Sequence, residues 1–308
     1  MQLLTLISGS SVSLNWRLNA INTPGFARKG LVHKVLSFKD SPYNLHGFDD
    51  EVEFNTQASS QWDSLVHYAH QPSGLNYNGT QPTAQALQQD FGTLDLKQEL
   101  PTLNHWHQRG GLVARGVLLD YRAWAESQGK KYDCFSDHRI TTDELEQVAK
   151  WEGVEFKHGD VLIVRTGFTE ELGDMDASQQ EKALGTHQTV GVAGNKETAK
   201  WHWNKHFAAV AGDAIAYETI PPLNEDGSKA GIDGLGKLMN LCCRSMLILL
   251  VLHQWFLSLF GMNIGELWDL KALSQACKEK KRYSFLMTSC PLNVPGSIGS
   301  PPNALAIF

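Results

Sequence analysis

The sequence predicts an α/β fold in a single domain spanning residues 1–308, on three observations. Apolar strand-like runs alternate with amphipathic helical stretches through the middle of the chain. No internal repeat, low-complexity tract or long polar linker divides it. A hydrophobic content of 42%, with nine Trp and thirteen Phe, supplies a large core, and 308 residues suffice to bury one.

The elements follow in order. The first fifty residues set short apolar stretches, VSLNW and GLVHKVLSF, among Gly, Pro and Asn, as short strands joined by turns do. GLVARGVLLDYRAWAESQG (111–129) begins as a strand and ends as a helix. TTDELEQVAKWEG (141–153) is the clearest helix: Thr141 or Thr142 caps it, acids fill its first turn and Gly153 stops it. GDVLIVRTGF (159–168) reads as a buried strand, KETAKWHWNKHF (196–207) as a helix, and AAVAGDA (208–214) as a second apolar strand. ELWDLKALSQACKEKKR (266–282) reads as a terminal helix. The tail then gives a strand, a Pro/Gly-rich loop and a last apolar strand.

Composition excludes several classes of function. A net charge of −6 and the lack of any basic cluster beyond KEKKR (278–282), a solvated helix end, argue against a nucleic-acid partner. Five scattered cysteines without a CxxC pair make neither a disulfide scaffold nor a zinc knuckle. Reduced thiols and an N-terminus without a convincing signal peptide lead us to expect a cytoplasmic protein. The run SMLILLVLHQWFLSLFGM (245–262) has the minimum length for a membrane span. His253, Gln254 and two serines interrupt it, so a buried helix and no membrane partner are expected.

One stretch invites a chemical reading. In NTQASSQWDSLVH (55–67), an extended chain would set Gln57, Ser59, Gln61 and Asp63 on one side, with Ala58, Ser60 and Trp62 on the other. Such a polar face lies on the surface or lines a wet cleft, and the spacing alone admits both. His105 with His107, and His202 with His206, have spacings that can chelate a metal, but both pairs read as structural or surface residues. Arg165 and Thr166 end a buried strand from which they could reach a site.

The stretch QASSQWDSLVH resembles the HxGTHxDxxxH signature of the cyclase family of metal-dependent hydrolases, which includes kynurenine formamidase and isatin hydrolase. Asp63 and His67 match the signature's Asp and last His. Gln57 and Gln61 stand where its first two His belong, and Ser59-Ser60 where Gly-Thr belongs. The closer resemblance is to the fungal branch. It is carried by the NTQxSSQWD block, NYNG (76–79), RGVLLDYRAWAE (115–126), GDVLIVRTGF, HFAAVAGD (206–213), GMNIGELWDL (261–270) and LNVPGSIGSPPNALAIF (292–308).

The resemblance implies the swivelling β/β/α fold of the kynurenine formamidase type, in a homo-oligomer acting on a small molecule. It implies hydrolysis of an amide, formamide or lactone bond by metal-activated water, with Asp63 and His67 as catalytic residues and His67 as acid–base group. Asp63, His253 and Glu266 match the ligands of a divalent metal, Zn or Mn; Gln57, Gln61 and Ser60 are placed as substrate-binding groups. On one continuous helix His253 and Glu266 would face apart, but Gly261 and Asn263 allow the chain to turn and bring Glu266 back. A neutral amide is a poorer zinc ligand than imidazole, so the two glutamines remove most of a first metal position. Two other readings stay open: a metal-free cyclase or isomerase, and a small-molecule-binding protein without catalysis. Against the family pattern, residues 236–250 read as an insertion outside the shared fold.

Overall fold

The structure is a computed structural model that describes residues 9–88, 100–223, 228–229 and 251–308. The region 236–250, expected as an insertion, lies outside the described residues.

Thirteen strands occur among the described residues: β1 (Ser11–Ser13), β2 (Val32–Ser37), β3 (Phe48–Glu53), β4 (Gln61–Asp63), β5 (Leu112–Asp120), β6 (Arg139–Ile140), β7 (Val161–Arg165), β8 (Gly191–Val192), β9 (Ala209–Gly212), β10 (Asn263–Glu266), β11 (Ser284–Ser289), β12 (Gly299–Ser300) and β13 (Ala304–Ile307). Nine form one sheet in the order β1-β13-β11-β5-β7-β9-β10-β4-β12. Its centre, β5-β7-β9-β10, is parallel, and the strands outside it pair antiparallel. Both chain ends enter this sheet, since β1 pairs with β13. The α/β class and the swivelling β/β/α arrangement expected from the sequence are what the structure shows.

Alternation along the central strands covers both faces. Leu162, Val164, Val210 and Ile264 pack into one core with Phe168, Leu252 and Phe256. Val161, Ile163, Ala209 and Ala211 pack into the other with Trp62, Trp268 and Phe285. Trp62 meets Trp268 edge-on at 4.9 Å between ring centroids and Trp106 at 5.4 Å. Each such aromatic pair adds about 0.5–1.5 kcal/mol beyond its burial, which fixes the short strand β4 in place.

Helices form where local signals are strongest. Thr142–Glu152 carries a full capping box between Thr141 and Glu144 and ends at left-handed Gly153. Tyr121–Ser127 and Lys196–Lys205 follow the expected ranges closely. Two expectations need correction. The terminal helix covers only Lys271–Lys280; its expected first residue, Glu266, ends β10 because pairing with β9 and β4 outweighs the helix propensity of ELWDL. The segment 55–67 is extended only at β4, for a turn closed by the Ala58 N–H on the Asn55 carbonyl precedes it. Ser59 and Gln57 therefore do not share one flat strand face with Gln61 and Asp63.

The apolar run near 245–262 is seen from residue 251 onward. Leu252 and His253 open a helix that continues as a π-helical stretch, Gln254–Phe260, with Phe256 and Leu257 fully buried. Among the described residues no helix is long and apolar enough to cross a membrane.

Candidate functional site

The site begins with the register of two antiparallel strands. Asp63 lies opposite Ile264, and Gln61 opposite Glu266. Trp62 points into the core on the other face, so Gln61 and Asp63 must point toward the face that Ile264 and Glu266 share. Gly265 permits this close pairing, because a Cβ there would meet the Ala211 Cβ and the Trp268 ring at 2.8 Å. Directly across the ladder, the Gln61 amide donates to Glu266 Oε2 at 2.8 Å. Asn263 Nδ2 donates to the Asp63 carbonyl at 2.7 Å, and Trp268 Nε1 to the Gln61 carbonyl at 3.0 Å, so the backbone of β4 is held at both ends.

His253 comes from the helix before β10. Gly261, with φ of 70°, ends that helix and turns the chain back, and a side chain there would meet the Tyr77 ring at 2.5 Å. The turn brings Glu266 Oε1 to 3.1 Å from His253 Nε2, with Asp63 Oδ2 at 3.8 Å from the same nitrogen. On its far side, His253 Nδ1 lies 2.8 Å from both carboxylate oxygens of Glu218. Glu218 follows Tyr217, whose own backbone N–H donates to Glu266 Oε1 at 3.2 Å.

Gln57 and His67 close the other side. Gln57 Nε2 donates to Asp63 Oδ1 at 2.7 Å and lies 3.3 and 3.4 Å from the two ring nitrogens of His67. Arg28 Nη1 donates to the Gln57 carbonyl at 2.8 Å. Asp63, His67 and His253 offer ligand atoms that all lie within 4.8 Å of one another.

The electrostatics divide the two histidines. Burial lowers the His67 pKa; Asp63 opposes this, while the His253 and Arg28 charges add to it, so the ring is neutral at neutral pH. Burial would also lower His253, but the carboxylates of Glu218 and Glu266 hold it well above the usual histidine value. Glu218 is held low despite burial by its contact with His253. Burial, and then the Asp63 charge, raise Glu266.

Does a divalent cation suit this chain? Three buried carboxylates, Asp63, Glu218 and Glu266, face one imidazole that can carry a single charge. Buried charge of one sign is costly unless balanced. Asp63 Oδ2 and Gln61 Oε1 are buried without a hydrogen-bond partner among the described residues. Around an ion with bonds of about 2.0–2.2 Å, neighbouring tetrahedral ligands stand about 3.4 Å apart. The 3.1 and 3.8 Å separations from His253 Nε2 bracket that value. An imidazole and carboxylates suit a dication chemically; among the described residues Asp63, His67 and His253 are the three whose ligand atoms lie within 4.8 Å of one another, and Glu266 reaches this group through His253 Nε2. Gln57, in contrast, turns its amide N–H₂ toward Asp63 where the family signature has an imidazole.

The structure thus brings together Gln57, Gln61, Asp63, His67, His253 and Glu266. Ser60, expected to bind substrate, stands apart: it is 2% exposed, and its hydroxyl donates to the Leu267 carbonyl while accepting the Trp16 N–H. It ties β4 to the segment after β10. Arg165 and Thr166 are also committed elsewhere, Arg165 to Asp120 and Glu170, and Thr166 to Asp213. His202 is buried between the Thr198 carbonyl and the Tyr217 hydroxyl, while His206 packs against His158. His105 bonds Gln108, and His107 the Pro291 carbonyl. Sequence reasoning missed Glu218 and saw Asn263 only as a place for the chain to turn, not as the donor that holds the Asp63 carbonyl; both sit outside the signature, and only the fold carries them to it.

Residues 12–219 match the family described as "Putative cyclase". No curated protein compared with the chain matches it. Among solved structures, a crystal structure described as a novel cyclase shares 25% identity at a TM-score of 0.74, covering 98% of this chain and 89% of its own. Isatin hydrolase A from Ralstonia solanacearum shares 13% identity at a TM-score of 0.60, covering 97% and 92%. A predicted metal-dependent hydrolase from Bacillus stearothermophilus shares 13% identity at 0.50, covering 96% and 97%. The last two likenesses are of fold. With the match spanning more than half the sequence, this chain belongs to the cyclase family.

Proposed function

We propose that the protein is a hydrolase that cleaves an amide, formamide or lactone bond of a small aromatic molecule, with a divalent ion held by Asp63, His253 and Glu266. The observation that carries this reading is His253 Nε2 with two carboxylate oxygens beside it, Glu266 Oε1 at 3.1 Å and the orphaned Asp63 Oδ2 at 3.8 Å. The ion, Zn or Mn, would supply a Lewis acid and a water of lowered pKa. The name of the similar isatin hydrolase supports a small aromatic substrate.

The chain's own residues do the rest. Glu218 fixes His253 Nδ1–H, which leaves Nε2 directed into the cluster. Gln61 holds Glu266, and Gln57 holds Asp63, each through an amide N–H. His67, kept neutral by burial, accepts a proton from the attacking water and returns it to the leaving group. Gln57 Nε2, beside both His67 and Asp63, is placed to orient a substrate carbonyl once a ligand displaces its present contacts.

A second reading has its own observation. His253 already touches carboxylates through both nitrogens, so a proton on it can do part of a cation's work. This supports a metal-free cyclase or isomerase using His67. Turnover of an arylformamide and of isatin, with and without a chelator, separates the two. Loss on chelation and recovery with Zn or Mn supports the hydrolase; turnover of another substrate, unaffected by chelation, supports the second reading.

A further inference from the structure

Outside the acidic site, a thiol and an imidazole meet at the point where β11 leaves the sheet. Cys290 is exposed, and its sulfur lies 3.8 Å from His107 Nδ1. The other nitrogen of that ring, Nε2, is 2.6 Å from the Pro291 carbonyl oxygen. A carbonyl can only accept, so Nε2 is the donor to Pro291, and this orients Nδ1 toward the thiol. The geometry is held from both sides: His107 by Pro291, and Cys290 by its carbonyl, which accepts Asn303 Nδ2–H at 3.0 Å. Gly111, with φ of 80°, lets the neighbouring turn approach, since a Cβ there would meet the Ser289 carbonyl at 3.0 Å.

We propose that Cys290 is a thiol modification site, oxidised by small hydroperoxides, with His107 as the base that takes its proton. The other described thiols differ in kind. Cys134 and Cys277 are buried, and burial pushes both well above the usual thiol range. Cys134 also donates to the Thr166 carbonyl. Among the described thiols, Cys290 alone combines exposure with an imidazole nitrogen within reach of its sulfur, an accessible place for a reacting thiol.

The step balances as follows. The Cys290 S–H bond breaks and its proton passes to His107 Nδ1. The sulfur attacks the terminal peroxide oxygen, forming S–OH as the O–O bond breaks, and the departing hydroxide (an alkoxide from an organic hydroperoxide) takes the proton back from Nδ1 and leaves as water (or the alcohol). Sulfur loses two electrons and the peroxide gains them, giving a sulfenic acid that a free thiol can reduce.

Hydrogen peroxide followed by dimedone trapping and peptide mapping on the full chain tests this. The dimedone adduct is expected on Cys290 at peroxide levels that leave Cys134 and Cys277 unlabelled. His107→Phe should slow Cys290 labelling about tenfold or more, whereas His105→Phe should leave it unchanged. His107→Gln serves as the second variant if the first unfolds, with a melting curve matching the parent's as the check. Labelling of Cys290 at the parent rate in either folded His107 variant overturns the proposal. Labelling of Cys134 before Cys290 does so as well.

Discussion

At the scale of single residues, His67 and His253 take different parts because their surroundings charge them differently. His67, lowered by burial, is a neutral base. Removing a positioned acid–base group typically costs about 10²–10⁴ in rate. His67→Ala should therefore lose activity by that order while its far-UV spectrum and melting temperature stay near the parent's. His253 is pushed the other way by Glu218 and Glu266, after their effect overcomes burial. To bind a cation through Nε2 it must release a proton, so metal affinity should fall as pH drops through its raised pKa, by up to about one proton per ion. Titrating Zn²⁺ into chelator-treated protein between pH 6 and 8 measures that slope. A flat profile would remove His253 from the ligand set. Glu218 touches the other nitrogen and no metal, so Glu218→Gln should weaken metal binding about 10–100-fold without abolishing it.

Elements bring those residues together, and here the sequence was legible unevenly. Helix Thr142–Glu152 could be read because its cap, periodicity and stop are local. The path from His253 to Glu266 could be read in outline, since Gly261 and Asn263 broke the helical pattern, and the structure places a left-handed turn and a strand there. Residues 266–270 are not helical because Glu266 pairs with Gln61 of β4 and the Leu267 and Trp268 N–H groups donate to the Ala214 and Gly212 carbonyls, long-range partners that ELWDL does not encode. Glu218 was invisible for the same reason: it lies 35 residues before His253 and acquires a role only by contact. The turn at Gly261 is accordingly a sensitive point. Gly261→Ala combines a left-handed backbone with a clash on Tyr77, and should cost about 1–3 kcal/mol while loosening the His253–Glu266 contact. Denaturant melts paired with metal titration would show both losses together; a variant as stable as the parent would disprove this reading of the turn.

For the whole molecule, the β10–β4 pair and the segments packed on it gather residues from positions 57 to 266 into a cluster richer in carboxylates than in cations. The family resemblance groups Gln57, Gln61, Asp63, His67, His253 and Glu266 from sequence alone; Ser60, grouped with them as a substrate-binding residue, instead bonds the Leu267 carbonyl and the Trp16 N–H. Gln57→His with Gln61→His should raise the number of bound ions per chain, because imidazoles would replace amides at the family positions. The most direct test of the account is the metal content of the purified parent protein beside Asp63→Asn and Glu266→Gln, measured after dialysis against metal-free buffer. The account predicts one Zn or Mn per parent chain, strongly reduced in both variants, with activity lost in proportion. A parent that retains full turnover with no bound divalent ion would contradict it.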